Sequence, residues 1–147
     1  YLLDQLVKSF GYHEPKLDQV FDLLAEISPG IAEHGTFNFC LSNGQALFSY
    51  AITKLHWLVR EYPFRPAQLI DIDVEVDFSQ VTTREDRVAV ITTEPLTQNE
   101  EWTAFQPGEM ILFQHGAKVR SQVTHVERLE RERLDPSLKR ITRADQY

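Results

Sequence analysis

A single cysteine, Cys40, stands in a chain of 147 residues, and glycine is scarce as well, at six. One thiol cannot close an internal disulfide or furnish a cysteine-rich metal site, so a reducing, cytoplasmic setting is expected. Long apolar runs are missing: none approaches the roughly 18 to 20 residues that a membrane span needs, and no basic-then-apolar leader opens the chain. Positive charge is in deficit, with 15 Lys and Arg against 22 Asp and Glu and a formal net charge of -7. The mean field therefore repels phosphate, which argues against a general affinity for nucleic acid or an anionic membrane. What is present, 42% hydrophobic and 25% charged residues, is the composition of a soluble globular domain able to close a core.

The chain opens Tyr1-Leu2-Leu3-Asp4, with no initiator methionine. Helical spacing of Leu2, Leu3, Leu6, Val7 and Phe10 is already under way, with no Ser, Thr, Asp or Asn cap ahead of it. A start in mid-helix leads us to expect part of a longer protein. After His13-Glu14-Pro15, the residues Leu17, Val20, Phe21, Leu24, Ile27 and Ile31 recur at three and four, the stripe of a second helix on a core. Pro29-Gly30 should break or kink it before Gly35 ends it.

The period then changes to two. Phe37, Phe39 and Leu41 alternate with Asn38, Cys40 and Ser42, and beyond Asn43-Gly44 the residues Ala46, Phe48, Tyr50 and Ile52 share a face. Asn-Gly between alternating strands predicts a hairpin, both central residues of a type I′ turn needing positive φ. Leu55, Trp57 and Val59 suggest a third strand stopped by Pro63 and Pro66. From Ile70 a clean alternation sets Ile70, Ile72, Val74, Val76 and Phe78 against Asp71, Asp73, Glu75 and Asp77. Val88 to Ile91 is apolar on both faces, as in a strand covered on both sides. Met110 to Phe113 and Lys118 to Val123 flank His115-Gly116 as a second hairpin. Helices leading into many antiparallel strands make a layered α+β fold. From His125 onward six basic and five acidic residues give +1, leaving -8 for residues 1–124. There, Glu127 with Arg131 and Arg128 with Glu132, four apart, support a solvated helix until Pro136.

Few residues offer chemistry. His13, His34, His56, His115 and His125 are scattered, none at metal-ligand spacing with another His or Cys. His56-Trp57 could line a pocket; the plainer reading puts Trp57 in the core and His56 outward. Asp71, Asp73, Glu75 and Asp77 would sit about 7 Å apart on one strand face, either as a cation site or as the wet, charged face of an edge strand. Cys40 lies among aromatics, and we expect a small buried hydrophobe rather than a nucleophile. No phosphate loop, nucleophile elbow or dinucleotide fingerprint appears.

Four blocks in order then resemble a known family. Phe37-Asn38-Phe39-Cys40-Leu41-Ser42-Asn43-Gly44 comes first, then Thr53-Lys54-Leu55-His56-Trp57 and Asp73-Val74-Glu75-Val76-Asp77-Phe78. The most specific runs from Val90-Ile91-Thr92-Thr93-Glu94-Pro95-Leu96-Thr97 through Trp102 to Pro107-Gly108-Glu109. Together they resemble class II glutamine amidotransferases, most closely the small stand-alone branch that includes relatives acting in ergothioneine biosynthesis and glutathione breakdown. The resemblance covers about Tyr1 to Gly116 and corresponds to the carboxy-terminal half of that domain.

It implies an α+β fold that is part of an αββα four-layer sandwich of the amino-terminal nucleophile (Ntn) hydrolase type, with mainly antiparallel strands. It also implies a chemistry in which an amino-terminal cysteine thiolate attacks the side-chain amide of glutamine. The free α-amino group serves as base, and an Asn-Gly pair forms the oxyanion hole. None of these roles transfers. Tyr1 is no such nucleophile, Asn43-Gly44 is a late hairpin turn, and the family's acidic substrate motif would fall just before the helix on which this chain begins. No catalytic, cofactor-binding or metal residue is therefore assigned, and no cofactor is expected. Residues 1–124 would be the carboxy-terminal part of the amidotransferase domain and residues 125–147 a charged tail, partly helical or flexible. The expected partners are glutamine or a γ-glutamyl compound in the full-length protein, the missing amino-terminal half of the domain, and, as an open option, a second copy. The rival reading is a binding or assembly module that kept the scaffold and lost the chemistry.

Overall fold

The helical spacing at the start of the chain becomes two helices, α1 (Leu2–Phe10) and α2 (Leu17–Ala32), in the computed structural model, which describes residues 1–71, 75–78 and 82–136. Leu2, Leu6 and Phe10 of α1 pack against the core, while Leu3 and Val7 stay exposed. In α2 the side chain of Gln19 accepts the backbone N–H of Lys16 at 3.0 Å, half of a capping box. Pro29 does not break α2, which runs on to Ala32 and stops short of Gly35. Proline forfeits one backbone hydrogen bond there while its fixed φ suits the helix.

Among the described residues nine strands follow: β1 (Phe39–Ser42), β2 (Ala46–Ala51), β3 (His56–Glu61), β4 (Ala67–Gln68), β5 (Glu75–Val76), β6 (Arg87–Thr92), β7 (Thr103–Ala104), β8 (Glu109–Gln114) and β9 (Ala117–Val123). Among the described residues all pairings are antiparallel. They form one sheet in the order β1-β2-β8-β9, a second in the order β6-β3-β7, and the small pair β4-β5. A short helix, α3 (Glu127–Leu134), is the last element among the described residues.

The alternation of β2 and β8 explains the layering. Phe48, Tyr50, Met110 and Leu112 face the helices and pack with Val20, Phe21 and Leu24. Ala51, Ile111 and Phe113 point the other way, to Leu55, Trp57, Phe105, Ala89 and Ile91 around the second sheet. The four-stranded sheet is thus apolar on both faces, with helices above and a sheet below. Each large side chain so buried stabilises the fold by about 1.5–3 kcal/mol.

Both expected hairpins form, but the turn chemistry differs from the expectation. Ser42 pairs with Leu47, which centres the first turn on Gly44-Gln45. Gly44 alone has positive φ, at 87°, and Asn43 instead accepts the N–H groups of Gln45 and Ala46 through Oδ1 at 3.0 and 2.9 Å. Two successive residues with positive φ occur at the second hairpin, His115 (50°) and Gly116 (70°). Gly116 is required there: a Cβ would lie 2.1 Å from the Arg87 carbonyl oxygen.

Three further expectations are corrected. Cys40 is exposed rather than buried, because it points away from Phe39 and Leu41 on an edge strand whose other face is left uncovered. No single strand runs from Ile70 to Phe78. Ile70 is 53% exposed and Asp71 lies in a bend, and among the described residues of this stretch only Glu75–Val76 is strand, paired with Ala67–Gln68; Ile72, Asp73 and Val74 lie outside the described residues. β6 is not covered on both sides either, Val88 being 45% exposed.

Candidate functional site

The histidines stay apart. His13, His34, His115 and His125 are exposed, and half-buried His56 places Nδ1 3.1 Å from the Thr93 carbonyl oxygen. Among the described residues no group of three His, Cys, Asp or Glu could hold a metal ion. Asp71, Glu75 and Asp77 are exposed and do not share a strand face, while Asp73 lies outside the described residues. His56 and Trp57 alternate on β3, and Trp57 enters the space between the sheets. Its ring meets Phe113 at 5.7 Å between centroids and carries the Lys118 ammonium 5.0 Å from its centre. The Sγ of Cys40 lies 3.3 Å from the Ser49 hydroxyl. That is a serine neighbour and not a base, so the pair lacks what activates a thiol nucleophile.

A polar network that spacing could not reveal stands on the second sheet. Arg60 on β3 grips Glu100 with Nε and a terminal nitrogen, both at 2.7 Å, in the bidentate geometry that makes such pairs strong. Thr97 Oγ1 donates to the same carboxylate at 2.6 Å, and Trp102 Nε1 donates to Thr97 Oγ1 at 3.0 Å. The Arg60 guanidinium also lies 5.1 Å from the centre of the Phe78 ring. The hydrogen bond from Arg60 holds the Glu100 carboxyl below its ordinary range, against the opposing push of burial, and the Thr97 hydroxyl adds to the effect. Arg60 and Glu100 are forty residues apart, so no periodicity links them. Thr97 and Trp102 stood only in the recognised blocks, and Phe78 there and in the alternation from Ile70. In the structure they brace the chain that follows β6, and the network presents no nucleophile.

A second cluster docks α3. Arg128 donates to the carbonyls of Ala32 and Gly35 at 2.9 and 3.1 Å, its backbone N–H donates to Glu33 at 2.9 Å, and Arg131 reaches Glu33 at 2.7 Å. Burial pushes the Glu33 carboxyl upward, but the Arg128 N–H and the two guanidinium groups outweigh it and leave the group below its ordinary value. Arg128 and Glu132 pair as their spacing predicted. Their side chains are largely buried rather than solvated, at 14% and 13% exposed, because Arg128 supplies partners to carbonyls at the end of α2.

Two grooves open on the surface. One of about 910 Å³ runs beneath α3, lined by Thr53, Thr124, His125 and Arg128 among others. The other, of about 350 Å³, lies between α1 and the first hairpin and is mainly apolar, with Leu3, Val7, Leu41 and Phe48 in its wall. Neither brings a nucleophile within hydrogen-bond reach of a base. No helix among the described residues is long and apolar enough to cross a membrane.

The comparisons supply what the geometry leaves open. The family model described as "Glutamine amidotransferases class-II" matches residues 1–137, further than the blocks alone suggested. A protein of Haemophilus influenzae named "Putative glutamine amidotransferase" is 39% identical over 119 residues, which are 81% of this chain and 40% of that protein. The "Putative glutamine amidotransferase YafJ" of Escherichia coli is 41% identical over 119 residues, 81% of this chain and 47% of its own length. A crystal structure of a "predicted glutamine amidotransferase" from Pseudomonas aeruginosa superposes with a TM-score of 0.68 at 37% identity, covering 81% of this chain and 47% of that one. The chain thus spans less than half the length of these relatives.

Proposed function

Since this chain belongs to the class II glutamine amidotransferases, we propose that it is the carboxy-terminal part of an enzyme that, at full length, hydrolyses the side-chain amide of glutamine or of a γ-glutamyl compound. The nucleophile is the amino-terminal cysteine of the complete protein, which forms a thioester and releases ammonia; water then frees the acid. This chain's contribution is the scaffold. Its helices and two sheets correspond to three layers of an αββα sandwich of the Ntn-hydrolase type, and the Arg60–Glu100 network fixes the loop that carries the family's most specific block. The exposed, unpaired thiol of Cys40 fits a reducing, cytoplasmic setting.

The observation that carries this reading is the family match over residues 1–137. Its test is ammonia release from glutamine by protein expressed from the complete coding sequence. Replacing the amino-terminal cysteine by serine or alanine should lower turnover at least about a thousandfold, the scale of losing a nucleophile. Cys40→Ser should leave turnover unchanged, since its thiol lies against the Ser49 hydroxyl rather than beside a base that would activate it. Full turnover without the amino-terminal cysteine would sink the mechanism. The absence of a nucleophile–base pair among the described residues favours the rival reading of a scaffold without chemistry, and a complete protein that releases no ammonia from any γ-glutamyl amide would establish that rival.

A further inference from the structure

Helix α3 is held to the protein by means unlike those that hold α1 and α2. Six of its eight residues are charged, none belongs to the buried core, and Leu134 is 80% exposed. Leu129 leans on the core, and Val126, one residue ahead of the helix, is buried. No side-chain cap closes the start of α3, and an isolated helix shorter than roughly 12 to 15 residues is marginal in water. Its helical state therefore depends on docking. Four hydrogen bonds from α3 converge on residues 32–35: Arg128 on the carbonyls of Ala32 and Gly35, and the Arg128 N–H and the Arg131 guanidinium on the Glu33 carboxylate. Those carbonyls lie where α2 ends, the pole of a helix that attracts cations.

The chain reaches α3 through a fixed point. Thr124 donates both its N–H and its hydroxyl to the Gly108 carbonyl, at 2.8 and 2.9 Å, and its Oγ1 lies 3.2 Å from the Tyr50 hydroxyl. Between this anchor and the bonds at the end of α2 runs the groove of about 910 Å³. The body contributes Thr36, Ile52 and Pro107 to its lining, and α3 contributes Leu129, Glu130 and Arg133.

We propose that α3 is a salt-sensitive strap, latched over this groove through Glu33 and released beyond Thr124 while the rest of the fold stays closed. Glu33 is the centre of the latch because it alone joins two residues of α3 to the body by charge-assisted bonds. Salt shortens the reach of such attractions to about 3 Å at 1 M, and the Arg131–Glu33 pair is open enough to feel it, at 56% and 28% exposure. Apolar burial of the kind that fixes α2 does not weaken in this way. Once released, α3 loses its helix, and the groove loses the residues that α3 lends it. The groove is complete only while the strap is latched, and a small molecule seated there would hold the strap down.

The arginines of α3 report its release, because trypsin cuts an unfolded segment and spares a docked one. Limited digestion of the full-length protein, followed by mass spectrometry, should show the Arg128–Leu129 bond cut faster as salt rises from about 0.05 to 1 M. Glu33→Gln keeps the shape of the side chain and removes its charge. It should speed that cut about tenfold at low salt and abolish most of its dependence on salt. Cleavage after Arg60, inside β3, should stay slow throughout. Slow cutting at Arg128 in Glu33→Gln, or indifference to salt in the native protein, would overturn the latch. Cutting at Arg60 that rises in step with cutting at Arg128 would overturn the strap, since α3 would then leave only when the whole fold opens.

Discussion

The two faces of the four-stranded sheet, and what lies beyond them, hold together by different means. Toward the helices, Phe21, Leu24, Phe48 and Tyr50 are sealed at 0 to 2% exposure, and cohesion comes from apolar area. On the far side, the second sheet is three strands wide, Val88 and Ile70 are about half exposed, and the chain after β6 is held by Arg60, Glu100, Thr97 and Trp102. Apolar packing is indifferent to pH, and a charge-assisted network is not. The helix side resembles a finished core. The far side resembles a surface braced by polar bonds.

The largest effect that separates the two should come from Phe21→Ala. It leaves a cavity under α2 and removes the ring on which Arg120 stacks, so we expect a loss of about 3–5 kcal/mol in chemical unfolding of the full-length protein. A loss below about 1 kcal/mol would mean that the helix layer is not the main core. Glu100→Gln should cost less, about 1–3 kcal/mol, since the amide keeps the shape but weakens the charge-assisted bonds from Arg60 and Thr97. Its signature is pH dependence. The folded-state carboxyl titrates below its unfolded value, so its stabilisation is complete above the ordinary glutamate range near pH 4.3 and is lost as pH falls through the lower folded value. The gap between native protein and Glu100→Gln should therefore close between about pH 4 and more acid solution, while the gap to Phe21→Ala should stay nearly constant. A gap that widens on acidification would refute the role given to the pair.

The same division governs how much the sequence disclosed. The stripe Leu17, Val20, Phe21 and Leu24 and the alternation Ala46, Phe48, Tyr50 and Ile52 were legible, because local period alone decides which face meets a core. The turn at Asn43-Gly44 was placed one residue early, since the side chain of Asn43 took two backbone N–H groups and moved the centre to Gly44-Gln45. Cys40 and Val88 were misplaced for a common reason. Alternation shows which residues share a face, but whether another layer covers that face depends on tertiary packing, and at β1 and β6 it is left partly open. The alternation from Ile70 predicted a strand from its first residue, but the chain bends at Ile70 and Asp71, and among the described residues of this stretch Glu75–Val76 pairs with Ala67–Gln68. The Arg60–Glu100 network was illegible from local pattern, its members being joined only by the sheet. The site was the least legible part, because the residues here offer Cys40 beside Ser49 and histidines that never meet.

The smallest expected effect marks the limit of the polar side's contribution. Lys54 and Glu94 pair at 2.9 Å across the same loop that Glu100 anchors, and the bond raises the lysine and lowers the glutamate from their ordinary values. Both side chains are wide open to water, at 78% and 62% exposure, so solvent screens the attraction and the entropy of fixing two flexible side chains offsets it. Lys54→Met should therefore leave the unfolding midpoint unchanged within measurement, at low salt and high salt alike. If it instead destabilised the protein as much as Glu100→Gln does, burial would not be what separates a bracing ion pair from a decorative one. The contrast between the two sides of the sheet would then have to rest on the number of charges rather than on their depth.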